Sequence, residues 1–155
     1  MILAIDPSIN NTGWALLDAG KISQWGVIKT SKKGSIVERL SELYEGIASI
    51  LNGEVPGTIK KAFVEVPGGF SYQRSSGASG NPLNMQSLLT LSEAVGCICT
   101  VLTRHGIEVM RVLATQWKAK RTKELEQSIA SSIVGRKVTH DEADAILLAI
   151  YCERR

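Results

Sequence analysis

Four carboxylates stand at the edges of apolar segments in this sequence. Asp6 directly follows the apolar run MILAI, and Glu65 lies inside the apolar segment FVEVP. Asp141 and Asp144 come just before the apolar run AILLAIY. Burying a carboxylate among apolar neighbours is costly unless it is paired or bound to a cation. These positions therefore favour a site in which the acids act together.

Each acid also has an ordinary structural interpretation. Asp6 precedes Pro7 and could simply start a turn. Asp141 and Glu142 could stabilise the amino end of a helix through their charge. Asp144 lies further inside that helix and shares a face with Asp141, because residues three apart are neighbours on a helix. Glu142 points away from this face, so we assign it a structural role only.

Taken together, the four acids suit the binding of divalent cations. Carboxylates within about 5 Å of one another repel, which raises their pKa values and destabilises the fold. A cation removes that cost, and oxygen ligands select Mg²⁺ or Mn²⁺ rather than zinc. Two such ions about 3.5–4 Å apart suit phosphodiester cleavage, because one generates a hydroxide and the other stabilises the leaving oxygen. The predicted metal ligands are Asp6, Glu65, Asp141 and Asp144.

The elements that must gather these acids follow from hydrophobic periodicity and turn residues. The pattern predicts three strands, then a helix, a strand, a helix, a strand and three more helices. The predicted strands cover 1–5, 13–18, 21–30, 60–67 and 107–112, and the predicted helices cover 35–51, 82–104, 116–121, 122–134 and a segment from about 140. This order predicts one α/β domain over 1–155, with a mixed five-stranded sheet and helices on both faces.

The predicted topology brings the acids together. The first and fourth strands are expected to be parallel neighbours, so that Asp6 and Glu65 reach the same edge of the sheet. Sites in open α/β sheets lie just beyond the carboxyl ends of the strands. If the last helix crosses the sheet over the first strand, Asp141 and Asp144 meet the other two acids there.

Two helices carry apolar stripes with specific expectations. The stripe of the 82–104 helix is wider than one sheet face needs, which fits a dimer face or packing entirely within one chain. It contains Leu88, Leu91, Val95, Ile98 and Leu102, widened by Leu89, Cys99 and Val101. In the 122–134 helix, we expect Leu125, Ile129 and Ile133 to point inward.

Composition excludes several classes of protein. The 155 residues are 44% hydrophobic and 21% charged, with a net charge of +3, as in a globular protein with a mildly basic surface. The three cysteines lack zinc spacing, so we interpret them as buried thiols in a reducing cytoplasm. The amino terminus lacks a signal-peptide pattern, and no apolar stretch approaches the ~20 residues of a membrane span.

The motifs ILAIDPSINNTGWALLD, FVEVP and THDEADAILLAIY resemble the RuvC family of Holliday-junction resolvases, within the RNase H-like superfamily. The family pattern places an Asp at the end of the first strand before a TG turn, a Glu at the end of the fourth, and D-x-x-D at the start of the last helix. The matching positions are Asp6, Thr12-Gly13, Glu65, Asp141 and Asp144. Order and spacing match over essentially the whole chain, and the DPS…NNTGW opening is similar to the phage-encoded branch.

The resemblance implies a homodimer that binds a four-way DNA junction and nicks two strands symmetrically with Mg²⁺ or Mn²⁺, without a nucleotide cofactor. It implies cytoplasmic action, in a bacterium or in the host of a phage. Lys118 and Lys123 match family positions near the scissile phosphate, and Lys118 is assigned a catalytic role. Lys120 and Arg121 would add phosphate contacts. Trp117, directly before Lys118 in the sequence, is predicted to be a core residue.

The Gly/Ser-rich segment after Glu65, predicted to be a mobile surface loop, departs from the family pattern. The family has a stacking aromatic residue about three positions beyond the Glu, where this chain has Gly68. Any stacking on an unpaired base would fall instead to Phe70, Tyr72 or Arg74. His140 lies near the predicted metal site and could assist or ligate there, or serve only as a neighbour of the helix cap.

Other activities share parts of this pattern. Another RNase H-like nuclease, acting on RNA–DNA hybrids or branched DNA in general, would use the same metal site. A kinase or ATPase of the actin/sugar-kinase type has a similar phosphate loop after a strand-ending Asp, but it needs two such domains. A catalytically inactive junction-binding protein is disfavoured because all four acids are present.

Overall fold

A computed structural model of the chain describes residues 1–55, 57–67, 85–118 and 121–153. The strands are β1 (Ile2–Asp6), β2 (Asn11–Asp18), β3 (Lys21–Lys29), β4 (Lys61–Val66) and β5 (Glu108–Leu113). The helices are α1 (Ile36–Asn52), α2 (Met85–Arg104), α3 (Ala114–Trp117), α4 (Lys123–Val134) and α5 (His140–Cys152).

The five strands form one mixed sheet in the order β3-β2-β1-β4-β5. The pairs β1–β2 and β2–β3 are antiparallel, whereas β1–β4 and β4–β5 are parallel. The predicted α/β fold, the mixed sheet and the parallel pairing of the first and fourth strands are confirmed.

Each face of the sheet buries its own hydrophobic core. On one face, Leu3 and Val64 pack with α1 and α2, through residues such as Leu43 and Ile98. On the opposite face, the apolar residues of α5 pack on the small side chain of Ala4 and its neighbours. Because side chains alternate between the faces of a strand, residues next to Ile5 and Val64 point toward α5.

The β2–β3 hairpin turns through Ala19 and Gly20, which both have positive φ angles (46° and 81°). Such angles suit the tight turns that match the twist of paired strands. At its other end, β2 begins at Asn11, two residues before the prediction. The extension arises because Asn11 pairs with Lys29 and because the buried Thr12 hydroxyl donates to the Ser8 carbonyl oxygen (2.5 Å).

Two helix predictions were wrong in detail. The short helix expected over 116–121 is instead Ala114–Trp117, and Lys118 already has an extended backbone. In α4, Leu125 and Ile133 are 48% and 43% exposed, so the predicted inward face is wrong at both positions. The buried residues there are Glu126 and Ala130, because the small Ala130 side chain lets α4 approach α5 closely.

Two further expectations also need correction. By length and composition, α2 is apolar enough to cross a membrane, although Ile98, Leu102 and neighbouring side chains pack in the core. Of the cysteines, only Cys152 is buried, whereas Cys97 and Cys99 are half-buried because they lie at the margin of the α2 face that enters the core. No disulfide bond joins these three cysteines.

Candidate active site

Asp6 and Glu65 lie side by side at the carboxyl edge of the central strands. Ile5 of β1 pairs with Val64 of β4, so the next residue on each strand is an acid. Ile5 and Val64 both enter the core formed with α1 and α2. Strand alternation therefore turns Asp6 and Glu65 to the other face, where α5 lies.

The amino end of α5 carries the other two acids to the same place. Thr139 caps the helix: its hydroxyl accepts from the Glu142 backbone N–H (3.3 Å), and the Glu142 carboxylate accepts from the Thr139 N–H (2.7 Å). This capping box gives Glu142 the structural role that the sequence predicted. It leaves Asp141 and Asp144, on the neighbouring face, for the site.

A glycine on β2 allows α5 to come this close to the sheet. Gly13 pairs with Asp6, and a Cβ atom at Gly13 would lie 2.0 Å from the backbone carbonyl oxygen of Asp141. It would also lie 3.4 Å from the Cβ atom of Ala145. Any larger residue at position 13 would therefore push the first turn of α5 away from Asp6.

Lys118 lies among the acids and pairs with two of them. Its Nζ atom is 2.9 Å from Asp144 Oδ2, 3.3 Å from Glu65 Oε2 and 3.4 Å from Glu65 Oε1. The three side chains are between 14% and 29% exposed. At this depth an ion pair is screened less than at the surface, so Lys118 compensates much of the local negative charge.

Trp117 has a role that the sequence did not indicate. The prediction that it is a core residue is confirmed, since it is only 6% exposed. Its indole N–H also donates to Glu65 Oε2 (2.9 Å), which helps to fix the carboxylate. A buried indole N–H usually finds an acceptor. That rule was the signal in the sequence, but it did not show that the acceptor is Glu65.

The acids perturb one another, as expected for carboxylates held close together. Burial raises the pKa of Asp6 to about 8, with further contributions from Glu65, Asp144 and Asp141 that the Lys118 charge opposes. Burial also raises the pKa values of Glu65 and Asp141, each with help from Asp144. For Lys118, burial acts against the charged form, but the surrounding acids outweigh it and raise its pKa. One lysine therefore does not fully compensate the cluster.

The donor set fits a hard divalent cation by its chemistry. All four side chains offer carboxylate oxygens, the ligands that Mg²⁺ and Mn²⁺ prefer, and burial, together with the neighbouring acids, raises the pKa of Asp6. As placed, no group of three or more His, Cys, Asp or Glu side chains within the described ranges could hold a metal ion. The Lys118 ammonium group lies between Glu65 and Asp144 and supplies the positive charge there.

The other predicted site residues fall into three groups: those that act on Asp141, Arg121 with its own acidic partner, and those outside the described residues. Lys123 begins α4, and together with the exposed His140 it opposes the rise that burial and Asp144 cause in the pKa of Asp141. Arg121 is partly buried and pairs with the buried Glu126 (Nε to Oε1, 3.9 Å). Four predicted DNA contacts lie outside the described residues: Phe70, Tyr72, Arg74 and Lys120.

The raised pKa of Asp6 predicts a pH-dependent stability without divalent cations. The native state retains a proton on Asp6 up to about pH 8, whereas the unfolded chain loses it near 3.8. The contribution of Asp6 to the free energy of unfolding is therefore fully present below about pH 4 and is lost as the pH rises to about 8. In EDTA, we expect the free energy of unfolding of Asp6→Asn, relative to that of the wild type, to rise by roughly 1–3 kcal/mol when the pH is raised from 5 to 8. Urea unfolding at both pH values measures this difference, and a constant difference would contradict it.

Comparison with known proteins provides independent evidence on the family. No family model matches the chain. The protein named crossover junction endodeoxyribonuclease RuvC from Cupriavidus metallidurans is 30% identical over 96% of this chain and 81% of its own length. Its namesake from Paramagnetospirillum magneticum is 26% identical over 96% of this chain and 88% of its own.

Solved structures agree on the fold. The structure of T. thermophilus RuvC in complex with a Holliday junction substrate aligns with a TM-score of 0.71 and 20% identity, covering 99% of this chain and 96% of that one. A second structure, of Thermus thermophilus RuvC, aligns with a TM-score of 0.66 and 19% identity, covering 99% and 95%. From the sequence relatives together with this shared fold, the chain belongs to the RuvC family of crossover junction endodeoxyribonucleases.

Proposed function

We propose that this chain is a metal-dependent endonuclease that resolves four-way DNA junctions by paired, symmetric nicks. The observation that carries the proposal is the convergence of Asp6, Glu65, Asp141, Asp144 and Lys118 at one edge of the sheet. Membership of the RuvC family supports the substrate, because the relatives are named for junction cleavage. The whole chain, 1–155, would act as a single nuclease domain in the cytoplasm.

The four acids would hold two Mg²⁺ or Mn²⁺ ions. When bound, the ions supply a hydroxide nucleophile at neutral pH and stabilise the leaving 3′-oxygen. Asp6 and Glu65 extend from two hydrogen-bonded central strands, and Asp141 and Asp144 from the first two turns of the capped helix α5. Such rigid elements hold a site more precisely than loops do.

Lys118 would change partners during the reaction. In its present position it neutralises Glu65 and Asp144. Divalent cations among the acids would take over that role, and the ammonium would then contact a non-bridging oxygen of the scissile phosphate. A positive charge there stabilises the charge that develops in the transition state.

Lys118→Ala is therefore expected to slow cleavage more than it weakens binding. We expect a fall of about 10²-fold in the single-turnover rate at saturating protein, the usual effect of removing one such donor. Junction affinity should fall by less than about threefold, since one phosphate contact among many is lost. Lys21→Ala is the matched control, because Lys21 is an exposed lysine at the opposite edge of the sheet. A cleavage rate equal to that of the control would place the phosphate contact elsewhere.

The proposed assembly is a homodimer with the outer face of α2 at its centre. Met85 and Leu89 are 61% and 52% exposed on this helix, although the inner part of its wide apolar stripe, including Val101, is buried within the chain. A two-fold axis would present two equivalent sites to two strands of like polarity, which explains paired nicks.

The decisive experiment compares substrates directly. An end-labelled four-way junction is incubated beside matched duplex, fork and RNA–DNA hybrid, with Mg²⁺ and with Mn²⁺. The proposal predicts that symmetric nicks in the junction form at least about tenfold faster than cuts in the other substrates. This factor corresponds to a difference in activation free energy of about 1.4 kcal/mol. Preferential cutting of the hybrid would instead identify another RNase H-like nuclease, and ATP turnover would favour the kinase or ATPase alternative.

A further inference from the structure

The loop between β3 and α1 carries a cluster of lysines at the same edge of the sheet as the acids. Lys29, Lys32 and Lys33 fall within five residues, and all three are exposed. We call residues 29–33 the basic ledge. A charge run is often only a solvated surface, so its position, rigidity and free charge decide whether it has a role.

The strand register fixes the position of the ledge relative to Asp6. Asp6 pairs with Gly13, Gly13 with Val27, and Lys29 lies two residues beyond Val27 along β3. Two strand spacings and two residues place the Cα atoms of Lys29 and Asp6 about 12 Å apart. This is about the width of the DNA major groove, so a duplex seated on the acids would pass over the ledge.

The ledge is fixed to the turn that follows Asp6. The Thr30 N–H donates to the Asn10 carbonyl oxygen (3.1 Å), and the Thr30 hydroxyl donates to the Ile9 carbonyl oxygen. Arg39 of α1 donates from Nη2 to the Ile9 carbonyl oxygen (3.2 Å) and to Asn10 Oδ1. Movement of the ledge relative to the acids would break this network, so the lysines stay in register with the site.

The positive charge of the basic ledge is not neutralised by ion pairs within the described part of the chain. None of its three lysines forms an ion pair there. Two acids of α1 accept hydrogen bonds from backbone N–H groups of this loop rather than pairing with its lysines. Glu42 Oε2 accepts from the Ser31 N–H (2.5 Å), and Glu38 Oε2 accepts from the Ser35 N–H (2.7 Å).

We propose that the basic ledge binds the phosphate backbone of the duplex arm that flanks the cleavage point. This inference rests on the proposed function and adds a contact surface outside the α3–α4 region identified from the sequence. Phosphate contacts position a protein on DNA without reading its sequence, and lysines on a rigid loop suit that task. Because it lies beside the metal site, the ledge would set which phosphate reaches the acids.

The test is the salt dependence of junction binding in EDTA, where cleavage is absent. The variant Lys29→Gln/Lys32→Gln/Lys33→Gln is compared with Lys21→Gln/Lys60→Gln/Arg104→Gln, which removes three exposed cations at the opposite edge. For the ledge variant we expect affinity for the junction to fall about 10- to 100-fold at 0.1 M salt. The slope of log K against log salt should become shallower by about 2–3, or about 0.9 for each lost phosphate contact. The control variant should lose less than about threefold.

The outcomes separate this inference from the proposed function. Wild-type binding and cleavage, together with a ledge variant whose affinity and salt slope equal those of the control, would overturn the ledge alone. Equal losses in both variants would also overturn it, because a general effect of net charge would then explain the result. A wild-type protein that does not bind the junction would overturn the ledge and the proposed function together.

Discussion

Asp6→Asn is expected to reduce junction cleavage by at least about 10³-fold while junction binding in EDTA is retained. Metal ions contribute several kcal/mol to phosphodiester cleavage, and about 4 kcal/mol corresponds to that factor. Asparagine keeps the shape of the side chain but removes the carboxylate that a metal ion would bind, within the cluster where Glu65, Asp141 and Asp144 all act on Asp6. Binding without metal should persist, because it depends on lysines and arginines at phosphates.

Single-turnover cleavage and a binding titration in EDTA measure the two parts of this prediction. Asp18→Asn is the matched control, since Asp18 is exposed at the other end of β2. The wild type should also gain thermal stability from Mn²⁺ that the Asp6 variant lacks. Cleavage by the variant at more than about a tenth of the wild-type rate would refute the assigned site.

Gly13→Ala is expected to lower both stability and activity, although position 13 carries no reactive group. The added Cβ atom would stand 2.0 Å from the Asp141 carbonyl oxygen, so the first turn of α5 must shift. Overpacking of this kind costs about 1–3 kcal/mol. A displacement of Asp141 and Asp144 by about 1 Å can cost roughly 10²-fold in rate.

Urea unfolding and single-turnover cleavage test this prediction in one pair of proteins. Gly53→Ala is the control, because Gly53 has a helical backbone (φ −73°) and an added Cβ atom would make only ordinary contacts at 3.5 Å. The control should keep the wild-type rate. A Gly13 variant with the stability and activity of the control would show that the close approach of α5 does not determine the site.

Part of the site followed from local sequence patterns. Asp6 and Glu65 are each placed by a short apolar strand, and the antiparallel and parallel pairing of those strands follows from the order of elements. Helical spacing separated the structural Glu142 from Asp141 and Asp144, and the Thr139–Glu142 capping box in the structure agrees with that role. Family membership and the fold could be predicted because these patterns depend on neighbouring residues.

Other features depended on packing between distant segments. The sequence predicted a basic helix over 116–121, but the chain leaves the helix at Lys118, whose side chain reaches Glu65 and Asp144. The hydrogen bond from Trp117 to Glu65 joins residues 52 positions apart. In α4, periodicity alone could not show that Ala130, rather than Leu125, faces α5.

The sequence by itself determined which residue types stand at the site, the order of the strands and helices, and hence the RuvC-type arrangement of the sheet. Periodicity and capping are local, since they involve residues within a few positions of one another. Only the tertiary structure decided that Gly13 admits α5 to the sheet, that Lys118 balances the acids and that the basic ledge lies beside them. These features depend on distances and electrostatic interactions between segments remote in the chain, which no single stretch of sequence contains.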